Sequence, residues 1–132
     1  MAIQYSTAIR NGRLDQVESV TGTSPKLQIR SGTKPANCAS ANSGTLLATL
    51  TLPSDWLAAA SSGQKAKSGT WSGTCSTGGT AGHFRIFDSS ETTCHMQGTC
   101  GQGTGDLSFD NATFTLGQVI TINTFTLTEG NA

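Results

Sequence analysis

Gly82-His83-Phe84-Arg85-Ile86-Phe87-Asp88, then Ser89 to Thr93, then Cys94-His95-Met96-Gln97-Gly98-Thr99: this stretch reads as two β-strands joined by a five-residue connection, a hairpin. With Asp88 opposite Cys94, Phe84 and Ile86 meet Met96 and Gly98 on one face, an apolar surface suited to a core, because side chains alternate across a strand. The other face collects His83, Arg85 and Phe87 beside His95, Gln97 and Thr99. One aromatic among donors and acceptors has the composition of a contact surface. A neighbouring loop of the same chain covering Phe87 is the alternative. On an open face, the two histidines would make attachment sensitive to acid.

Working outward, the same period of two recurs on both sides. Leu27 and Ile29 alternate with Lys26, Gln28 and Arg30, and Leu46, Ala48, Leu50 and Leu52 share one face of a strand that Pro53 ends. Between them lies a long polar loop, Ser31 to Ser43, with Pro35 and Cys38. Ser54 to Ala60 reads as one helical turn, with Trp56 plugging the end of a core. Further strands are expected at Lys67 to Gly73, Asp106 to Asp110, Ala112 to Leu116 and Val119 to Leu127, separated by turns rich in glycine. In the last of them the apolar phase slips from Ile120 and Ile122 to Phe125 and Leu127, which predicts a bulge or a strand bending between two sheets. Eight short strands in this rhythm predict a mainly β fold, an antiparallel sandwich of jelly-roll-like or immunoglobulin-like order.

The N-terminal stretch follows a different period. From Ser6 to Val20, Ile9, Leu14, Val17 and Val20 fall within a helical sector of about 140°. Ser6 or Thr7 caps its start and Thr21-Gly22 its end. Gly12 costs on the order of 1 kcal/mol relative to Ala, and Arg10 and Arg13 point into the apolar sector. Two readings follow. Either both arginines extend from a helix packed on its own β domain, or the helix is an arm that docks on an acidic, partly apolar surface of another subunit. The resulting division is a helical arm, residues 1–24, and a β-sandwich domain, residues 25–132.

At 132 residues the chain can bury roughly two thirds of the surface its unfolded form exposes, so a core needs no staple. Charged residues are 12% of the chain and cancel to a net charge of zero, which argues against nucleic acid or an anionic membrane as partner. No export signal or long apolar run is read in it. Cys38, Cys75, Cys94 and Cys100 are then expected as free, mostly buried thiols. A zinc site from Cys75, Cys94, His95 and Cys100 is the rival, but its spacings lack the tight pairs that close a loop on one metal. No cofactor and no metal are expected.

Catalytic groups are equally sparse. The carboxylates of Asp15, Glu18, Asp55, Asp88, Glu91, Asp106, Asp110 and Glu129 are scattered, with no pair placed for glycoside hydrolysis. There is no Gly-x-Ser-x-Gly elbow, and the glycines from Gly98 to Gly105 are followed by neither Lys-Ser/Thr nor a helical pattern, so they read as a flexible loop. The chain is expected not to be an enzyme.

A resemblance adds to this. Tyr5-Ser6-Thr7-Ala8-Ile9-Arg10-Asn11-Gly12-Arg13-Leu14-Asp15, Leu52-Pro53-Ser54-Asp55-Trp56, the two hairpin strands, and the ending Phe125-Thr126-Leu127-Thr128-Glu129-Gly130-Asn131-Ala132 together resemble a group of small virion proteins of tailed bacteriophages. The resemblance implies a structural protein of the particle, assembled in the bacterial host cytoplasm and placed on the capsid surface as a decoration, or cement, protein. Its implied partner is the major capsid protein, whose neighbouring subunits it bridges, with self-association into a dimer or trimer at a symmetry axis. The expected contacts are Ile9, Arg10, Arg13, Leu14 and Val17 of the helix and His83, Arg85, Phe87, His95 and Gln97 of the hairpin. The competing class is a receptor- or carbohydrate-binding module of a tail or fibre, for which Trp56 and Trp71 are the available aromatic platforms.

Overall fold

A computed structural model describes residues 3–129. The fold is mainly β with one helix, α1, at Thr7–Thr21. Ten strands follow among the described residues: β1 Lys26–Ser31, β2 Leu46–Thr51, β3 Gln64–Ala66, β4 Trp71–Thr74, β5 Gly79–Phe87, β6 Cys94–Gln102, β7 Leu107–Phe109, β8 Thr113–Phe114, β9 Val119–Ile122 and β10 Thr126–Thr128.

The main sheet has the order β2-β1-β5-β6-β7, with β8 pairing the start of β5. All its pairings are antiparallel except β6–β7, which is parallel. Two ribbons, β3–β10 and β4–β9, complete the structure. Leu27, Ile29, Leu50, Phe84 and Ile86 of the main sheet share one apolar core with Trp71, Ile120 and Ile122 of the β4–β9 ribbon. A chain of rings crosses this core: Trp56 lies 5.9 Å from Trp71, Trp71 5.4 Å from Phe125, and Phe125 meets Phe84 edge-on at 5.9 Å. Offset and edge contacts of this kind suit the ring quadrupoles.

The hairpin register is the expected one over most of its length. His83 faces Thr99, Phe84 faces Gly98, Arg85 faces Gln97 and Ile86 faces Met96. The ladder then slips, and Phe87 pairs with Cys94. His95 is therefore the extra residue of a bulge, carried out of the face that holds Phe87. Gly98 has a packing reason, since a Cβ there would lie 2.7 Å from the Phe84 ring. The glycines read as a flexible loop in fact continue β6 as far as Gln102, and the chain turns only beyond it.

The slip of phase near the C-terminus is a change of sheet. β9 pairs with β4 and β10 with β3, so Ile120 and Ile122 belong to one ribbon and Leu127 to the other. Ser54 to Ala60 forms no helical turn; instead Leu57 bridges Lys67, and Trp56 is fully buried with its indole N–H donating to Gly22 O at 3.1 Å.

The helix forms where its pattern places it. Ser6 Oγ accepts from the Ile9 N–H at 3.2 Å, and Gly22, at a φ of 88°, closes the other end with its N–H donating to Glu18 O. It packs on the β domain of its own chain. Leu14 is buried, contributing roughly 2 kcal/mol. Lys65 of β3, 1% exposed, points its ammonium at Asp15 (2.7 Å) and Glu18 (3.2 Å). Burial works against that charge, but hydrogen bonds to Asp15 and Glu18 overcome it, and the Lys65 pKa is raised. The same bond, helped by the Ala60 N–H, lowers that of Asp15.

Candidate partner-binding surface

Seven of the ten residues expected to make contacts fall into two groups in space, and Ile9, Arg10 and Leu14 lie outside both. Arg13 and Val17 of α1 come together with His95 of β6 along a groove of about 440 Å³, completed by Gln16, Val20, Thr21 and Met96. Helix and strand make it jointly: Val17 and Val20 of the apolar sector of α1 stand on one side, and His95 at the β6 bulge stands on the other. Val20 is 63% exposed and Ile9 50% exposed, so this helix face is only half used by the core. Leu14 lies beneath the helix, inside the protein. Val20 is part of the apolar sector read from the sequence, and Met96, in its expected register opposite Ile86 and packed against the core, also lines the groove.

The arginines of α1 hold the helix down. Arg13 Nη1 pairs with Glu129 Oε1 at 2.9 Å and its guanidinium lies 5.1 Å from the Tyr5 ring centroid. Arg10 donates to Glu129 O at 3.3 Å and to Thr7 Oγ1 at 3.2 Å. With Arg13 half exposed, its ion pair is worth at most about 1 kcal/mol. Of the two readings of the helix, packing on its own domain is the one found.

His83, Arg85 and Phe87 do not form an open surface. All three are buried, beneath the loop that joins β1 to β2. Arg85 straps this loop down. Its Nη1 donates to Asn42 Oδ1, and its Nη2 reaches Cys38 O at 2.9 Å, Ser40 O at 3.1 Å and Asn37 O at 3.4 Å. The guanidinium also sits 5.5 Å from the Phe87 ring centroid. Gln97 Nε2 donates to Pro35 O at 2.8 Å, and His83 Nδ1 lies 3.0 Å from Gly32 O. At the edge of the strap Gly82 leaves room for the loop, because a Cβ would stand 2.2 Å from Gly32 O. Burial lowers the His83 pKa despite its bond to Gly32, and the charges of Arg30, Arg85 and Lys34 push the same way. The expected contact role of His83, Arg85, Phe87 and Gln97 is thus replaced by an internal one: a guanidinium with several donors in a plane can satisfy loop carbonyls that no apolar residue could.

Other candidates also resolve. Asp106 Oδ2 accepts from the Thr99 N–H at 2.9 Å and from Thr99 Oγ1 at 3.2 Å, anchoring the turn between β6 and β7. Asp110 borders a cleft of about 230 Å³ with Ser108, Phe109, Thr121 and Asn123. No group of three or more His, Cys, Asp or Glu side chains among the described residues is placed to hold a metal ion, so Cys75, Cys94, His95 and Cys100 are not gathered. The four cysteines are free, but only Cys75 is buried; Cys38, Cys94 and Cys100 are partly exposed. Trp56 and Trp71 are both 0% exposed. No helix among the described residues is long and apolar enough to cross a membrane.

Comparisons of this chain with family models, with curated proteins and with solved structures gave no match.

Proposed function

We propose that this protein is a non-enzymatic virion component of a tailed bacteriophage that decorates the capsid surface and stabilises it by bridging major capsid protein subunits. The observation that carries the attachment site is the α1–β6 groove, where Val17, Val20 and Met96 present apolar surface beside Arg13, Gln16 and His95. An apolar centre with a polar rim is the anatomy of a protein-binding patch. The sandwich belongs to this proposal: the main sheet forms one layer and the two ribbons the other, in a jelly-roll-like or immunoglobulin-like arrangement.

Such a protein works by repetition. A shell offers the same site many times, so modest contacts at each copy hold adjacent subunits through avidity, and a dimer or trimer at a symmetry axis multiplies them. A body whose main sheet is covered on both faces at its β1–β5 centre provides the stiffness. The tail or fibre reading would need an exposed aromatic platform, and the buried tryptophans supply none.

Copy number tests the post. Quantitative mass spectrometry of purified virions is expected to find hundreds of copies per particle, whereas a dozen or fewer would move the protein to the tail and reject capsid decoration. Val20→Asp places a charge in the groove, and a cosedimentation assay with capsids is expected to show at least tenfold weaker attachment; undiminished binding would remove the groove from the proposal.

A further inference from the structure

The strap loop ends its path across the outer face of the main sheet beside a second thiol. Cys38 Sγ and Cys94 Sγ are 2.8 Å apart, although 56 residues separate them in sequence. Neither sulfur is placed there by the other. The Cys38 carbonyl is held by Arg85 Nη2 at 2.9 Å, within a turn in which Asn37 Oδ1 accepts from the N–H groups of Ala39 (2.9 Å) and Ser40 (3.1 Å). Cys94 is set by its backbone pairing with Phe87 at the β6 bulge, and its thiol also reaches Met96 O at 3.3 Å. Two independent scaffolds, a hydrogen-bonded turn and a β ladder, thus bring the thiols together. A shallow cleft of about 230 Å³ opens over them, bordered by Ser40, Asn42, Glu91 and Thr92, so a small solute reaches the sulfurs from solvent.

The other two cysteines differ. Cys75 is buried and donates to Thr77 O at 3.1 Å. Burial, with the charge of Asp106 second, pushes the Cys100 thiol up to about 12. The spacing also argues about chemistry: 2.8 Å is too short for a metal ion bound between the two sulfurs, since a zinc–thiolate bond alone is about 2.3 Å.

We propose that Cys38 and Cys94 are a disulfide-forming pair, oxidised by small-molecule disulfides of the glutathione class, whose closure clamps the strap loop onto the outer face of the sheet. One thiol of the pair loses its proton to solvent, and its sulfur attacks the small disulfide, breaking that S–S bond and releasing one small thiolate. The second thiol passes its proton to the released thiolate, and its sulfur attacks the protein-bound sulfur of the mixed disulfide. The Cys38–Cys94 bond forms, and a second small thiolate leaves and takes up a proton from solvent. Two protein thiols are oxidised and one small disulfide is reduced to two thiols. Burial, and then the hydrogen bond with Cys38, push the Cys94 thiol up to about 11, so Cys94 stays protonated at neutral pH and the pair closes slowly. A chain in a reducing compartment keeps the pair open, and one exposed to an oxidising exterior closes it. The inference stands independently of the virion reading.

The test uses the intact chain. Native protein is incubated with oxidised glutathione, the remaining thiols are blocked, and the non-reduced digest is read by mass spectrometry. Cys94 and Cys100 lie on one tryptic peptide, 86–132, so tandem fragmentation assigns the linked sulfur. The expected result is a Cys38–Cys94 link, a rise in Tm of about 10 °C that dithiothreitol reverses, and slower proteolysis of the 32–45 loop. In Cys38→Ala the same treatment is expected to give no link and no rise in Tm. Four free thiols after oxidation, mixed disulfides alone, or a different pairing would overturn the proposal; so would a Cys38–Cys94 link that leaves Tm and proteolysis unchanged.

Discussion

At the centre of the main sheet, across β1 and β5, both faces are covered, but by different physics. Inside, Leu27, Ile29, Phe84 and Ile86 close against the aromatic chain of Trp56, Trp71 and Phe125, where burial of apolar surface does the work. Outside, the neighbours of those same residues, Gln28, His83, Arg85 and Phe87, are just as inaccessible beneath a polar loop. There the stabilising elements are hydrogen bonds from a guanidinium, an amide and an imidazole to loop carbonyls. Alternation in a strand therefore distinguishes how each face is closed, apolar packing or polar strapping, and not whether it is closed.

The comparison can be broken first on the inside. Trp71→Ala empties the centre of the ring chain and is expected to lower stability by roughly 3–5 kcal/mol in chemical denaturation. A loss under about 1 kcal/mol would mean the inner face is not held by packing. On the outside, Arg85→Ala leaves several loop carbonyls without their donor and is expected to cost roughly 2–4 kcal/mol, with faster proteolysis of residues 32–45. Near-wild-type stability would show that the loop stays in place without the guanidinium.

A pair of variants asks whether ion pairing or the lysine stem docks the helix. Removing both carboxylates, Asp15→Asn with Glu18→Gln, strands a buried ammonium and is expected to lower Tm by less than Arg85→Ala but clearly more than Lys65→Met, which keeps the apolar stem without the charge. The reverse order would assign the docking to the charge of Lys65 alone.

Acid sharpens the outer face selectively. The folded pKa of His83 lies below the ordinary histidine value of 6.5. Well above 6.5 the ring is neutral in folded and unfolded chains alike and contributes no slope. As pH falls below 6.5 the unfolded chain takes up a proton first, so the native state loses stability down to the folded pKa, by at most about 1.4 kcal/mol per pH unit. His83→Gln is expected to flatten this part of the stability–pH curve; an unchanged slope would assign it to other groups. The smallest effect belongs to neither face: Val20→Asp, at an exposed groove position, is expected to change stability by less than about 0.5 kcal/mol, so that its capsid-binding result reads contact alone.

Much of the framework is legible in local sequence signals. The helix reading, Ser6 to Val20, lies within one residue of α1 at each end, because a cap, a glycine stop and a period near 3.6 are all local signals. The hairpin pairing was legible from Ile86↔Met96 to His83↔Thr99 for the same reason: loop length and alternation set it. The slip at Phe87 was not legible, and with it went the placing of His95. β3 was missed as well, since three residues with a buried lysine at the centre carry no strand pattern until Asp15 and Glu18 arrive from the helix.

By itself, the sequence determined that this is a mainly β chain with one capped helix, that Phe84 and Ile86 face a core, and where the apolar phase breaks. Each of these rests on residues a few positions apart. Only the tertiary structure decided that Arg85 straps a loop more than forty residues away, that Cys38 meets Cys94, and that Arg13, Val17 and His95 share a groove. Those juxtapositions depend on long-range closure of the chain, and long-range closure leaves no period in the sequence.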